Sequence, residues 1–227
     1  MAAGPGQFRD RAEAGRRLAE ALRGRRDDRP VVLALPRGGV PVAAEVAKAL
    51  DADFDVLLVR KLGHPRQPEL ALGAVGEGGV IALNQDIAHT VEPDVIETIA
   101  ARKRDDLARR TEVFRALRPR VDVRGRDVII VDDGAATGAT MRTGIALARA
   151  GGARRVIVAL PVAPADTVRA LGRKADGVLC LTTPAWFGSV GEHYLRFDQL
   201  SDEDVVEVLR SVTSAQSCAE PSQRTDE

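Results

Sequence analysis

The stretch VIIVDDGAATGATM, residues 128–141, decides the fold expected for this chain. Four apolar residues, 128–131, lead into Asp132 and Asp133, and a Gly- and Thr-rich loop then opens an Ala-rich segment. A continuous apolar run followed by a helix is typical of a strand buried on both faces of a parallel sheet. We therefore predict an α/β fold whose ligand binds where this strand ends.

The loop after the acidic pair has the composition of a phosphate-binding turn. It comprises Ala136, Thr137, Gly138, Ala139 and Thr140. Gly and Thr before a helix present backbone N–H groups and hydroxyls at its positive end, where an anion is stabilised. A P-loop would need a Lys before its Ser or Thr, and a dinucleotide-binding turn would need G-x-G-x-x-G; the loop has neither. We expect it to hold a monophosphate.

Asp132 and Asp133 make the expected ligand more specific than a phosphate. Two carboxylates repel a phosphate unless another group engages them, and vicinal sugar hydroxyls can do so through charge-assisted hydrogen bonds. The pattern therefore indicates a ribose 5-phosphate unit. Receiver domains of response regulators also end a strand in an acidic pair, which binds Mg²⁺, but there the pair lies near the start of the domain.

Several blocks of the sequence resemble the type I phosphoribosyltransferases. The run VDDGAATGAT resembles their diphosphoribose-binding motif: a hydrophobic strand, two acids, two small residues and a Thr-Gly-x-Thr loop. From about residue 33 to 198 the chain resembles one bacterial subgroup in the blocks LPRGGVPVAAEVA, VRKLG, PELALGAVGEGG, VRGRDVIIVDDGAATGATM and VGEHYLRF. The resemblance implies a Mg²⁺-dependent transferase that uses 5-phosphoribosyl 1-pyrophosphate and a nitrogenous base and releases pyrophosphate.

The resemblance also implies roles for individual residues. The loop 136–140 would cradle the 5′-phosphate, while Asp132 and Asp133 would bind the ribose hydroxyls and stabilise positive charge as the C1–O bond opens. Pyrophosphate would be held by Arg37, Gly38, Gly39, Arg60 and Lys61, and we count Lys61 with the two aspartates as catalytic. Without the resemblance, an ordinary tight turn at 36–39 and a solvated strand end at 60–61 explain these residues equally well.

One departure from the family pattern bears on the acceptor. Ala136 stands where purine-salvage members carry an Asp that assists proton transfer at the base. A base that needs this help is disfavoured, whereas an acceptor that is already anionic fits. Two other functions stay open: a non-enzymatic sensor of phosphoribosyl pyrophosphate, and a phosphoribosyl hydrolase.

The predicted fold is a parallel twisted sheet with helices on both faces, in one domain over residues 1–212. Apolar runs predict its strands at 31–35, 53–59, 128–131, 155–160 and 177–181. A mobile loop at 64–69 and a β-hairpin made of 70–75 and 80–83 would form a flap, at about 61–90, that excludes water. Helices are expected at 8–23, 93–117 and 201–212, and a disordered tail at 213–227.

A small C-terminal hood is expected at residues 182–199. It holds the single Trp and the single Tyr of the chain. Trp186 and Phe187 could stack a planar base, although a hydrophobic plug that holds the last helix accounts for most of the hood's aromatic residues.

Composition limits the partners. The 33 Lys and Arg residues balance the 33 Asp and Glu residues, so no net field favours nucleic acid or a membrane surface. No apolar stretch approaches a membrane span or a signal-peptide core. The two cysteines have no metal-ligand spacing and form no framework, which favours the cytoplasm. We expect small-molecule partners; the oligomeric state stays open, a homodimer included.

Overall fold

The computed structural model of the chain describes residues 7–23 and 29–217, which form two sheets and the helices around them. The strands are β1 (Val31–Ala34), β2 (Asp53–Val56), β3 (Val59–His64), β4 (Gln67–Gly76), β5 (Ile81–Leu83), β6 (Asp127–Val131), β7 (Arg155–Val162) and β8 (Gly177–Thr182). The helices are α1 (Arg11–Leu22), α2 (Gly39–Leu50), α3 (Gln85–Ala88), α4 (Pro93–Arg115), α5 (Ala139–Ala150), α6 (Ala165–Gly172) and α7 (Asp202–Ser217).

The larger sheet has five parallel strands in the order β2-β1-β6-β7-β8. Every residue of the central strand β6 is buried, and its side chains alternate between two cores. Val128 and Ile130 pack with residues of α5 and α6, while Ile129 and Val131 pack with residues of α1, α2 and α7. Burying both faces explains why this strand is an uninterrupted apolar run. The predicted parallel sheet with helices on both faces is confirmed.

The smaller sheet is antiparallel, in the order β3-β4-β5, and corrects part of the predicted flap. The pairing of 70–75 with 80–83 is present as β4 against β5. The predicted strand 53–59, however, is two strands, and the expected loop at 64–69 is a tight turn between β3 and β4. The ladder extends this far because Leu62, Leu72 and Val75 bury their side chains with Ala100 of α4.

The ends of several helices differ from the boundaries expected from the sequence. Residues 93–115 form a single helix, and α7 continues past the predicted end at residue 212 to Ser217. The rest of the predicted disordered tail, residues 218–227, lies outside the described residues. In the part of the chain that the structure covers, no helix has the length and apolarity needed to cross a membrane.

A buried ionic cluster fastens the smaller sheet to the larger one. Arg115, at the end of α4, donates through Nη1 to Asp55 Oδ1 at 2.8 Å. Its Nε and Nη2 donate to the two carboxylate oxygens of Glu77, each at 2.6 Å. Asp55 is 1% exposed and also accepts from the backbone N–H of Val121. The cluster thus joins β2, the end of α4 and the turn between β4 and β5.

Replacing Arg115 by Met should destabilise the domain strongly. The variant removes the guanidinium that hydrogen-bonds to the carboxylates of Asp55 and Glu77 in a buried site, and breaking such a pair costs about 3–5 kcal/mol. Chemical denaturation measures the change. Arg124→Met is the matched control, because Arg124 is 80% exposed and pairs with Asp122 at the surface, where an ion pair contributes little to stability. Equal losses in both variants would contradict a structural role for the buried cluster.

Candidate active site

The acidic pair and the glycine loop after β1 meet at the carboxyl edge of the larger sheet. Strands β1 and β6 are neighbours, with Ala34 opposite Val131, so the chain leaves both strands at the same level. A Cβ atom on Gly38 would overlap the carboxylate of Asp133, and one on Gly39 would lie 2.8 Å from the Cα atom of Asp132. Only residues without a side chain allow this contact. The structure therefore brings together two segments that the sequence separates widely.

The side chain and the backbone of Asp133 both accept hydrogen bonds from side chains of other elements. Arg11, the first residue of α1, donates through Nε to Asp133 Oδ2 at 2.8 Å. The phenol of Tyr194 donates to the backbone carbonyl of Asp133 at 2.6 Å. Asp132 is partly buried, and its Oδ1 accepts the N–H of Asp133 at 2.9 Å. The backbone and side chains of the pair are therefore fixed by several donors.

Burial makes ionisation of this pair costly. Loss of solvent raises the pKa of Asp132 well above its usual range, and the neighbouring charge of Asp133 raises it further. Burial also raises the pKa of Asp133, although the hydrogen bond and the positive charge of Arg11 oppose the increase. Two carboxylates with raised pKa values at a sheet edge are the kind of arrangement that functional sites maintain.

A groove of about 420 Å³ lies between the loop after β1 and the segment before α7, and it is lined by Arg11 and Gly38, the two residues that contact the Asp133 carboxylate. Arg11 donates through Nη1 to the carbonyl of Asp198 at 2.8 Å, and its guanidinium carbon lies 3.9 Å from the centre of the Phe197 ring. Arg37 lines the same groove, where it donates to Asp202 Oδ1 at 3.0 Å and to the carbonyl of Leu200 at 2.8 Å. Two guanidinium groups therefore border this space.

The predicted phosphate loop is exposed and shaped by its neighbours. Gly138 has φ 68°, a left-handed conformation that favours glycine, and α5 begins at the next residue. Thr167 donates to the carbonyl of Ala136 at 2.6 Å, and Arg142 donates to the carbonyl of Thr137 at 2.8 Å. The first N–H groups of α5 have no helical acceptor. The side chains at 136, 137, 139 and 140 are exposed, so the loop can receive an anion.

Arg60 and Lys61 do not lie where the sequence placed them. Both are inside β3 of the smaller sheet, not at the tip of a parallel strand, because β2 already ends at Val56. Arg60 donates to the carbonyl of Val59 at 3.2 Å, and Lys61 is exposed. Their predicted contact with pyrophosphate stays a prediction.

The hood contributes to the site through residues other than the two that the sequence suggested. Trp186 is 93% exposed, and Phe187 stacks on His193 with ring centres 5.5 Å apart. Their contact with a base stays a prediction. Tyr194 and Phe197 instead lie next to the acidic pair and Arg11, and their rings pack together with centres 5.1 Å apart.

Sequence reasoning missed Arg11 because its position depends on contacts between the two ends of the domain. Phe8 donates its N–H to the carbonyl of His193 and accepts the N–H of Leu195, each at 2.8 Å. This isolated bridge brings the start of α1 close to the end of β6, where Arg11 contacts Asp133. The amphipathic pattern of α1 predicts only that the helix covers the sheet, so it gives no signal for a buried arginine.

The sequence of the chain agrees with this geometry. A family model described as "Phosphoribosyl transferase domain" matches residues 6–195. The chain belongs to this family. Two Mycobacterium tuberculosis proteins, from strains CDC 1551 and H37Rv, are each named "Putative phosphoribosyl transferase" and are 50% identical to it over 204 residues. That match covers 89% of this chain and 46% of each relative, so the chain spans about half the length of these curated relatives.

A solved structure resembles this phosphoribosyl transferase domain over nearly its whole length. The crystal structure of TT1426 from Thermus thermophilus matches with a TM-score of 0.86 and 48% sequence identity. The match covers 90% of this chain and 98% of that chain. The family that the sequence motifs indicated is therefore confirmed, and so is the type of fold.

Asp132→Asn should stabilise the domain at neutral pH. Because the pKa of Asp132 is raised on folding, the folded state binds its proton more tightly, so this group lowers stability as pH rises from about 4 through its folded pKa. Asn removes that charge and keeps an oxygen for the N–H of Asp133. We expect a gain of about 1 kcal/mol, roughly 2–4 °C in Tm, that disappears on acidification.

Thermal unfolding at several pH values measures this gain. Asp122→Asn is the control, because the Asp122 carboxylate is exposed and carries no burial penalty. Its pKa is lowered to about 2 by the hydrogen bonds from Arg124. The control should show no gain at neutral pH. A less stable Asp132→Asn, or a gain that persists in acid, would show that the ionised pair does not burden the fold.

Proposed function

We propose that the domain binds 5-phosphoribosyl 1-pyrophosphate with Mg²⁺ and transfers the phosphoribosyl group to a nitrogenous base, releasing pyrophosphate. The observation that carries this proposal is the direct contact between the Gly38–Gly39 backbone and the Asp132–Asp133 pair. The exposed loop 136–140 follows the same strand, β6. Sites for a diphosphate, for a sugar diol and for a monophosphate would then follow one another along one edge of the sheet.

Each part of the substrate has residues suited to it. The loop 136–140 would bind the 5′-phosphate through backbone N–H groups and the hydroxyls of Thr137 and Thr140. Asp132 and Asp133 would accept hydrogen bonds from the ribose hydroxyls. Their negative charge would stabilise the positive charge that develops on the sugar as the C1–O bond opens.

The leaving pyrophosphate would be bound at the loop after β1. Gly38 and Gly39 allow close approach of the backbone, and Arg37 supplies a planar guanidinium for phosphate oxygens. The present partners of Arg37, Asp202 and the carbonyl of Leu200, are exposed, so exchanging them for phosphate costs little. Arg60 and Lys61 pair with Val75 and Ala74 near the anchored end of the smaller sheet, from which they would contact the pyrophosphate. The rest of that sheet would close over the site and exclude water.

Mg²⁺ suits this ligand as an ion carried by the substrate. Among the residues that the structure describes, no group of three or more His, Cys, Asp or Glu side chains could form a metal cage. Mg²⁺ usually keeps several waters and binds phosphate oxygens of the substrate. Its ligands here would be pyrophosphate and ribose oxygens, and it would neutralise charge on the leaving group.

The acceptor is limited by the exposed Ala136, which offers no proton-transfer group. We therefore propose an acceptor that is anionic before it reacts. Trp186 and Phe187 of the hood are the candidate contacts for its ring.

Calorimetry with Mg²⁺ and 5-phosphoribosyl 1-pyrophosphate tests the binding step. The wild-type protein should bind, and Asp132→Asn/Asp133→Asn should bind about 10²- to 10⁴-fold more weakly, since each of the two charge-assisted hydrogen bonds contributes about 1.5–3 kcal/mol. The double variant Asp94→Asn/Asp122→Asn, which removes two exposed carboxylates, is the charge-matched control. Absence of binding by the wild type, or equal affinity of the acidic-pair variant, would refute the proposal.

A pyrophosphate-release screen separates transfer from the two alternatives. Nucleobases and related heterocycles, with carboxylated ones included, are offered together with the phosphoribosyl donor. Release that requires one acceptor class supports a transferase. Release without any base indicates a hydrolase, and binding without release indicates a sensor.

A further inference from the structure

Arg11 belongs to helix α1, which packs on the larger sheet, and its side chain contacts Asp133 in the candidate site. We propose that Arg11 is a positioning residue, whose guanidinium keeps the Asp133 carboxylate charged and turned so that it can accept the ribose hydroxyls. This inference rests on the proposed function, because that function gives Asp133 its ligand.

The Arg11–Asp133 pair is buried and directional. The two side chains are only 11% and 12% exposed, and the Nε–Oδ2 distance is 2.8 Å. The carbonyl of Asp198 and the ring of Phe197 hold the guanidinium at two further points. An arginine fixed at three points offers its fork in one orientation, which an exposed arginine does not do.

Helix stability does not explain an arginine at this place. Arg11 is the first residue of α1, where a cation opposes the helix dipole. The start of the helix is already stabilised by Asp10, whose Oδ1 accepts the N–H of Glu13 at 2.9 Å. The arginine therefore serves a contact outside its own helix.

Asp133 needs a cation because of its surroundings. The backbone of Gly38 lies against its carboxylate, and the acidic Asp132 precedes it. Tyr194 donates to the carbonyl and not to the carboxylate, and Arg37 is turned towards Asp202 and Leu200. Without Arg11, burial would favour the protonated form of Asp133. One N–H from Arg11 leaves other lone pairs of the carboxylate for sugar hydroxyls.

The pH dependence of donor binding tests the role. In Arg11→Met we expect affinity for Mg²⁺ and 5-phosphoribosyl 1-pyrophosphate at neutral pH to fall on the order of tenfold. We also expect the acid limb of the binding profile to move to higher pH, because binding is lost when Asp133 takes up a proton. Arg11→Lys should recover part of both effects. The control is Arg16→Met, which removes an exposed arginine of the same helix paired with Glu45.

A double-variant cycle shows whether Arg11 acts through Asp133. If it does, Arg11→Met should cost much less affinity in the Asp133→Asn background than in the wild type. A purely structural tie would lower Tm while leaving the acid limb in place and the two losses additive; that result would overturn the proposal. If Arg11→Met does not fold, Arg11→Lys decides alone, with an unmoved acid limb counting against the role.

Failure of the proposed function is distinguishable from failure of this inference. If the wild-type protein does not bind the donor, the proposed function is refuted and the Asp133 carboxyl carbon is titrated by NMR instead. A higher midpoint in Arg11→Met or Arg11→Lys than in the wild type would still support the positioning role. An unchanged midpoint would refute it.

Discussion

The contact between two glycines and two aspartates is the constraint on which the rest of the site depends. β1 and β6 are adjacent and in register, so the loops that follow them start side by side. Side chains at 38 or 39 would push these loops apart, because the space is filled by the Asp133 carboxylate and the backbone at 131–132. The diphosphate and sugar sites of the proposed function can therefore adjoin only with this backbone geometry.

The same contact makes ionisation of the two carboxylates unfavourable, and within the described residues the fold pairs a cation with Asp133 but not with Asp132. Arg11 and Tyr194 engage Asp133, whereas the Asp132 carboxylate accepts a backbone N–H beside a like charge. A protein selected for stability alone would not keep two adjacent carboxylates whose pKa values are both raised, one of them buried and the other partly buried. Under the proposed function, their charges would interact with a positively charged transition state, and sites of that kind trade stability for preorganisation.

Local patterns were sufficient to predict the strand β6 and the turns that follow β1 and β6, because each is fixed by residues close in sequence. Local patterns failed where contacts between residues distant in sequence determine the structure. Residues 53–64 form two strands, β2 and β3, because Leu62 is buried against α4. Arg60 and Lys61 therefore lie in the smaller sheet and not at the end of a parallel strand. Arg11 reaches Asp133 only because the segment around Phe8 pairs with the segment around Leu195, and no periodicity in either segment encodes that pairing.

The helix α5 contacts both sheets, and these contacts limit how the proposed flap could close over the site. Its N-terminus carries the anion loop, and its Leu147 packs against Gly76 at the end of β4. Arg115 holds Glu77 one residue further on, so this end of the smaller sheet is fixed to the body of the domain. The opposite end, at residues 65–67, is exposed. Closure of the proposed flap would therefore bend the sheet between these ends, while the anchored base keeps its orientation relative to the phosphate loop.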